Sequence, residues 1–156
     1  MSEGKFNKVH FNELVKGYFA VALFTAVSLW LIWSVRFPPM QDYPQHLSQV
    51  QILSEYSNPD YGYKDNFSVD LKPAPYATFY AITLFFSKFF SIETAGKVAI
   101  SLYVLLILFL VLKIMQHSKC NSFPWGVLLL FPFAFNQQYF LGNLNYLLSL
   151  PILLLA

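Results

Sequence analysis

The chain has 156 residues, of which 56% are hydrophobic, 19% are aromatic and only 12% are charged. Soluble domains carry about twice that charged share, so this chain has too few charged residues to form a surface that is fully exposed to water. The formal net charge of +2 is too small to indicate nucleic-acid binding, and a single cysteine excludes a disulfide framework and a cysteine-based metal site. The composition indicates an integral membrane protein.

The first membrane segment is predicted at residues 18–35, which carry no charge over eighteen positions. Eighteen helical residues cross a hydrocarbon core of about 30 Å when the helix is nearly upright. The segment ends in Arg-Phe-Pro-Pro rather than in small residues, so we interpret it as a retained anchor and not as a cleaved signal. Three lysines precede it in the tail, residues 1–17, and only Arg36 follows closely. The positive-inside bias therefore predicts a cytoplasmic N-terminus.

The long polar segment that follows, residues 36–75, is predicted to form the first outer loop. An amphipathic helix is expected at residues 44–56, where apolar residues recur at three-residue steps from position 47. Pro44 suits the first turn of such a helix, and Asp42 or Tyr43 would cap it.

Four further apolar runs complete the chain. Two of them, residues 76–92 and 98–115, are predicted spans joined by a tight cytoplasmic turn at residues 93–97. The run at residues 123–138 contains two prolines and predicts either a fourth span or a broken helix. The last run, residues 139–156, predicts a fifth span without a polar flank, so we expect the sequence to be the N-terminal part of a longer protein.

Two residues of the outer loop, Asp42 and His46, are the clearest candidates for catalysis or ligand binding. A carboxylate just outside the membrane can act as a general base or bind a cation, and Asp42 can equally be a helix cap. His46 follows four positions later, so in a helix the two residues share a face as an acid–base pair or as two cation ligands. The alternative for His46 is an interfacial histidine on a wet helix face. Two ligands without a third do not predict a metal site.

Basic and amide side chains provide the other candidates. Arg36 and Lys72 flank the outer loop, where they would contact a lipid phosphate, although an interface anchor is the commoner role for Arg36. A polar group between two apolar runs consists of Gln137, Gln138, Asn143 and Asn145. Such groups either form hydrogen bonds between helices or line a substrate cavity.

Two motifs carry a resemblance to known proteins. Residues 41–47 read Gln-Asp-Tyr-Pro-Gln-His-Leu, and residues 142–150 read Gly-Asn-Leu-Asn-Tyr-Leu-Leu-Ser-Leu. A first span that leads into an outer loop with the first motif is similar to the start of GT-C-type glycosyltransferases, which use polyprenyl-phosphate sugars. Both motifs also resemble a group of bacterial multi-pass membrane proteins. In the GT-C family an aspartate of the first outer loop is the catalytic base, and Asp42 matches it; His46 matches a histidine of the bacterial group.

The sequence thus predicts an all-α, polytopic protein of the plasma (inner) membrane, with four to five transmembrane segments and an amphipathic juxtamembrane helix in the first outer loop. The resemblance implies transfer of a sugar from a polyprenyl-phosphate donor to an acceptor at the outer face. It implies no cofactor beyond that donor, and membrane lipid and further membrane helices as partners. The residues expected to act are Asp42 and His46 in catalysis, and Arg36, Lys72, Asn143 and Asn145 at the donor phosphate or the cavity. The alternative is a non-enzymatic assembly or transport subunit, or an inactive fragment.

Overall fold

A computed structural model of the chain describes residues 3–69, 77–117, 132 and 134–155. Within these ranges all regular elements are helical, which confirms the all-α prediction. The elements are α1 (Glu3–Ser34), α2 (Tyr43–Ser54), a 3-10 turn (Pro59–Tyr61), α3 (Tyr63–Asn66), α4 (Thr78–Ser87), α5 (Ile92–His117), α6 (Gln137–Leu141) and α7 (Leu144–Leu155).

Two of these helices are long and apolar enough to cross a membrane by length and composition. In α1 the stretch Val15–Ser34 has a mean hydropathy of 1.8, and in α5 the stretch Ile92–Lys113 has a mean hydropathy of 2.5. At 1.5 Å per residue, each stretch extends about 30 Å, the thickness of a hydrocarbon core. They correspond to the predicted first and third spans, although α5 begins six residues earlier than residue 98.

The C-terminal end of α1 lies beside the first turns of α5. The indole Nε1 of Trp33 donates a hydrogen bond to Ser101 Oγ at 3.0 Å. Just beyond α1, the guanidinium of Arg36 is paired with the Glu93 carboxylate, with Nη2 and Oε1 separated by 2.7 Å. The partners of Trp33 and Arg36 follow in reverse order along α5, Ser101 first and then Glu93. The two long helices are therefore antiparallel where they meet.

The structure corrects the sequence prediction for the segment between these helices. Residues 76–92 are predicted as a span, but α4 covers only Thr78–Ser87, and its 10 residues extend about 15 Å, half a hydrocarbon core. Residues 93–97, predicted as a cytoplasmic turn, are helical and belong to α5, beside the end of α1. The physical reason is that one face of α4 packs within the protein, where Phe79 and Thr83 are both fully buried, so part of its apolar character serves protein contacts.

The predicted amphipathic helix is present as α2. Its apolar face is formed by Tyr43, Leu47 and Val50, all buried, and it packs against α4 and α5. Pro44 lies in its first turn, as predicted. Asp42 occupies the N-cap position, but its side chain makes no capping hydrogen bond. The apolar face of α2 is therefore buried against α4 and α5.

The predicted fifth span is interrupted. Residues 139–156 contain the end of α6 and all of α7, separated at Gly142, whose φ of 85° ends α6 in the left-handed region. Helix α7 begins at Leu144 and runs to Leu155, the last residue that the structure describes. Most of the predicted fourth segment, residues 123–138, lies outside the described residues.

Candidate functional site

The two motifs that carry the resemblance meet in the folded chain. The backbone N–H of Gln41 donates to the Phe140 carbonyl at 2.9 Å, and the N–H of Asp42 donates to the Leu141 carbonyl at 3.2 Å. Gly142 follows directly and lies against Asp42, since a Cβ built on Gly142 would be 3.0 Å from the Asp42 nitrogen. Segments that are about a hundred positions apart in the sequence therefore form one short backbone-paired junction.

A second link fixes the beginning of α4. The amide oxygen of Asn145, on α7, accepts a hydrogen bond from the backbone N–H of Phe79 at 2.9 Å. The first N–H groups of a helix have no partner within the helix, so Asn145 caps α4 from a distant part of the chain. Asn145 is itself buried. Of the two roles that the sequence allows for Asn145, hydrogen bonding between helices is thus the one observed for its side-chain oxygen.

A cavity of about 480 Å³ opens next to these links. Its described lining comes from α2, α4, α6 and the start of α7 and consists of His46, Tyr80, Gln138, Asn143, Leu144, Asn145 and Tyr146. These residues carry amides, phenols and an imidazole, with no carboxylate, lysine or arginine among them. The cavity therefore presents hydrogen-bonding groups of low charge beside apolar surface.

The imidazole of His46 is held on one side of this cavity. Its Nδ1 lies 2.6 Å from the hydroxyl oxygen of Tyr80, which in turn donates to Oε1 of Gln49. The imidazole ring of His46 also makes an edge contact with the Phe79 ring, at 5.9 Å between centroids.

The structure brings together three of the predicted site residues and leaves the others elsewhere. His46, Asn143 and Asn145 line the cavity, whereas Asp42 and Arg36 are not among the lining residues. The N–H of His46 bonds to the Asp42 carbonyl at 3.0 Å, so the two residues are one helical turn apart, but their side chains share no hydrogen bond. The guanidinium of Arg36 is paired with the Glu93 carboxylate.

One predicted site residue, Lys72, lies outside the described residues. Within the part of the chain that the structure describes, no three side chains of the His, Cys, Asp or Glu type lie together as metal ligands would.

Sequence reasoning did not find Tyr80, Gln49 or Tyr146 as site residues. Tyr80 lies in a run of aromatic and aliphatic residues that hydropathy assigns to a span, and Gln49 lies on the polar face of α2. Nothing in either local pattern distinguishes these residues from their neighbours. Only the packing of α4 against α2 brings Tyr80 between His46 and Gln49.

The fold and the cavity define a helical protein with two apolar helices of membrane-spanning length and a polar cavity between α2, α4, α6 and α7. Comparison with protein-family models, with curated proteins and with solved structures gives no match for this chain.

The capping role of Asn145 can be tested by substitution. Asn145→Ala leaves a buried N–H of α4 without a partner, so we expect a loss of about 1–3 kcal/mol in the free energy of unfolding. Asn145→Asp retains an acceptor at a helix N-terminus and should lose less. Thermal or denaturant unfolding in one detergent measures both, and Asn143→Ala, at an exposed amide two positions earlier, is the control. Equal losses at positions 143 and 145 would contradict the capping role.

Proposed function

We propose that the chain is part of a membrane-embedded glycosyltransferase similar to the GT-C type, which transfers a sugar from a polyprenyl-phosphate donor to an acceptor at the outer membrane face. The observation that carries this proposal is that both motifs, residues 41–47 and 142–150, contribute side chains to one polar cavity. The first motif is also hydrogen-bonded through its backbone to Phe140 and Leu141, directly before the second motif. Motifs that serve one site are expected to meet in space.

The chemistry of the cavity supports a sugar as its ligand. Amides and phenols offer donors and acceptors to hydroxyl groups, and they do so without the charge that a phosphate site requires. The amide nitrogen of Asn143 donates a hydrogen bond to Oε1 of Gln138, which holds both amides at the cavity wall. The half-exposed ring of Tyr146 adds an apolar face of the kind on which a sugar ring can lie.

The proposed reaction is a displacement at the anomeric carbon of the donor sugar. The acceptor hydroxyl forms a bond to this carbon while the bond to the phosphate oxygen breaks, and polyprenyl phosphate leaves with the electron pair. The acceptor proton passes to a general base, for which Asp42 is the residue implied by the resemblance and His46 is the residue that lines the cavity. Arg36 uses only Nε and Nη2 for Glu93, so its remaining donors and Lys72 are the proposed contacts of the donor phosphate.

In this proposal α1 and α5 cross the membrane, with the N-terminus cytoplasmic and the end of α1 at the outer face. The large exposed apolar side chains of α1, such as Phe19 and Trp30 at 68% and 66% exposure, then contact lipid. Helix α4, at 10 residues, is too short to cross the bilayer and in this proposal extends only part of the way into it.

Transfer assays test the proposed reaction directly. Protein in nanodiscs is incubated with a panel of radiolabelled polyprenyl-phosphate hexoses, and release of polyprenyl phosphate is measured. We expect Asp42→Asn or His46→Gln to lower turnover by about 10²–10⁴-fold, the contribution of a general base. Asp60→Asn, an exposed acid of the same loop, is the matched control and should retain activity. Absence of turnover with every donor, or unchanged turnover in both site variants, would overturn the proposal.

The membrane arrangement makes a separate prediction. In a Cys120→Ser background, we expect cysteines at Gln41 and Ser91 to react with an impermeant maleimide from the same side of the membrane. A cysteine at Lys113, at the far end of the α5 span, should react from the opposite side. The original sequence prediction, with residues 93–97 in the cytoplasm, requires positions 41 and 91 to react from opposite sides. That pattern would contradict the antiparallel pairing of α1 and α5.

A non-enzymatic assembly or transport subunit is the second candidate. It is favoured by the described lining of the cavity, which contains no carboxylate, since a cavity that only binds its ligand needs no acidic general base. This candidate predicts that the cavity binds a sugar-bearing lipid without releasing polyprenyl phosphate. The same nanodisc samples distinguish the two candidates, because binding and release are measured separately.

A further inference from the structure

We infer that Tyr80 and Gln49 are positioning residues that fix His46 as the neutral tautomer with its proton on Nδ1, so that Nε2 is a hydrogen-bond acceptor and the ligand of the cavity must present a donor such as a hydroxyl. The inference rests on the proposed function only for the identity of that ligand. The arrangement of the three side chains is independent of it.

The first step is the position of a single proton. The hydroxyl of Tyr80 lies between two partners, Nδ1 of His46 at 2.6 Å and Oε1 of Gln49. An amide oxygen is only an acceptor, so the Tyr80 proton is directed to Gln49. The bond between Tyr80 and His46 then needs a proton from Nδ1. A neutral imidazole has one N–H, so Nε2 carries the lone pair.

The second step is that the local structure holds all three side chains in place. His46 and Gln49 are three positions apart on α2, which brings them to one face of the helix. Tyr80 comes from α4 and reaches between them, and its ring lies 5.6 Å from the imidazole centroid. Phe79 contacts the imidazole edge-on and is fully buried, so the histidine ring has little freedom to turn over.

The third step concerns access. Tyr80 lines the cavity of His46 and also a second cavity, of about 380 Å³, to which Gln49 contributes. The hydrogen-bonded row of His46, Tyr80 and Gln49 thus runs from one cavity to the other. His46 borders the first cavity, and its Nε2 has no hydrogen-bond partner among the described residues, so this atom is the acceptor that the row leaves for a ligand.

The hydrogen bond from Nδ1 to Tyr80 suits His46 to act as a general base through Nε2. When Nε2 takes a proton from a ligand hydroxyl, the imidazolium retains its Nδ1–H bond to the Tyr80 oxygen, and no side chain has to move. A ligand that offers only acceptors at this point, such as a bare phosphate oxygen, would face the lone pair of Nε2. The row therefore selects a hydroxyl over an unprotonated anion at this wall of the cavity.

Nitrogen NMR on a protein with one histidine tests this inference. The sequence has three histidines, so His10→Gln and His117→Gln leave His46 as the only one. With ¹⁵N-labelled histidine in nanodiscs above the pH at which the ring is charged, the spectrum distinguishes a protonated from an unprotonated nitrogen at each ring position. We expect Nδ1 to be protonated and Nε2 to be unprotonated in the parent protein.

Two variants move the tautomer by different routes. Tyr80→Phe removes the acceptor for Nδ1–H, and Gln49→Leu frees the Tyr80 proton to turn towards Nδ1. Both should shift the tautomer ratio about tenfold towards Nε2–H, as loss or reversal of one hydrogen bond requires. Gln49→Glu keeps an acceptor and is the matched control, expected to leave the ratio unchanged.

Gln49 is exposed, so its variants report even if Tyr80→Phe does not fold. A parent protein protonated on Nε2, or a ratio unchanged in both Tyr80→Phe and Gln49→Leu, would overturn the inference. These spectra need no substrate, so they stand or fail separately from the transfer assay.

Discussion

Gly142→Ala is expected to destabilise the protein by about 2–5 kcal/mol and to disrupt the cavity. At a φ of 85°, any residue with a Cβ is strained by about 1–2 kcal/mol. The new Cβ would also lie 3.0 Å from the nitrogen and 3.3 Å from the Cα of Asp42. These are backbone atoms tied to Leu141 by a hydrogen bond, so they cannot move aside at low cost, and overpacking of this kind adds about 1–3 kcal/mol.

Gly62 provides a matched control for this substitution. It also has a positive φ, 59°, but the nearest atoms to a Cβ there are side-chain atoms of Asn66 and Asp65 at 4.0 Å. Gly62→Ala therefore adds strain without a clash and should cost about 1 kcal/mol. Denaturant unfolding of both variants in the same detergent gives the comparison. If the two variants lost equal stability, the close approach of Asp42 to Gly142 would not be important.

The second large effect is expected at Gly96, near the start of α5. A Cβ on Gly96 would lie 2.5 Å from the hydroxyl of Tyr43 and 2.7 Å from Cδ2 of Leu47. Tyr43 is fully buried and its ring contacts Phe79, so it has no free space into which to move. Gly96→Leu should therefore displace α2 from α5 and cost about 3 kcal/mol, as a strong case of overpacking. Thermal unfolding measures this loss.

A double-mutant cycle shows whether the loss arises from this contact. Tyr43→Phe removes the atom nearest to the new Cβ, and its own cost is small because its hydroxyl bond to the Glu93 carbonyl is long, at 3.4 Å. In Gly96→Ala the improved helix propensity offsets part of the clash, by about 1 kcal/mol. We expect Tyr43→Phe to restore about 1 kcal/mol in the Gly96→Ala background. Strictly additive effects would mean that α2 and α5 do not meet at Gly96.

Local patterns predicted several elements of this fold correctly. The uncharged run of α1 and the central part of α5 follow from hydropathy, because hydropathy predicts a long apolar helix without information on its tertiary contacts. Helix α2 follows from Pro44 and from the spacing of Leu47 and Val50, since both depend on residues within a few positions of each other. The polar group at the start of α7 was likewise visible as amides placed between apolar runs.

The errors have a common physical origin. Residues 76–92 are as apolar as a span, but hydropathy measures transfer out of water and does not distinguish a lipid environment from a protein interior. A helix of 10 residues with one face packed against α2 and α5 gives the same signal as part of a longer one. Gly96 was similarly attributed to a turn, because the contact with Tyr43 that requires a small residue joins positions far apart in the chain.

For the candidate site, the sequence alone identified His46, Asn143 and Asn145 as polar residues in unusual places, because each stands out from an apolar or membrane-proximal context. It could not show that they border one cavity. It also could not show that Asn145 caps α4 or that Tyr80 joins His46 to Gln49.

The sequence by itself determined an all-helical, apolar chain with a first long hydrophobic helix and an amphipathic helix after it, because composition and periodicity act over a few turns. Only the tertiary structure decided that the apolar runs at residues 76–92 and 139–156 do not form single long helices, that α1 and α5 are antiparallel, and where the cavity lies. Those features depend on contacts between residues 50 to 100 positions apart, such as the pairing of Asp42 with Leu141 and of Arg36 with Glu93. The energies of such contacts depend on distance in space, which no local pattern contains.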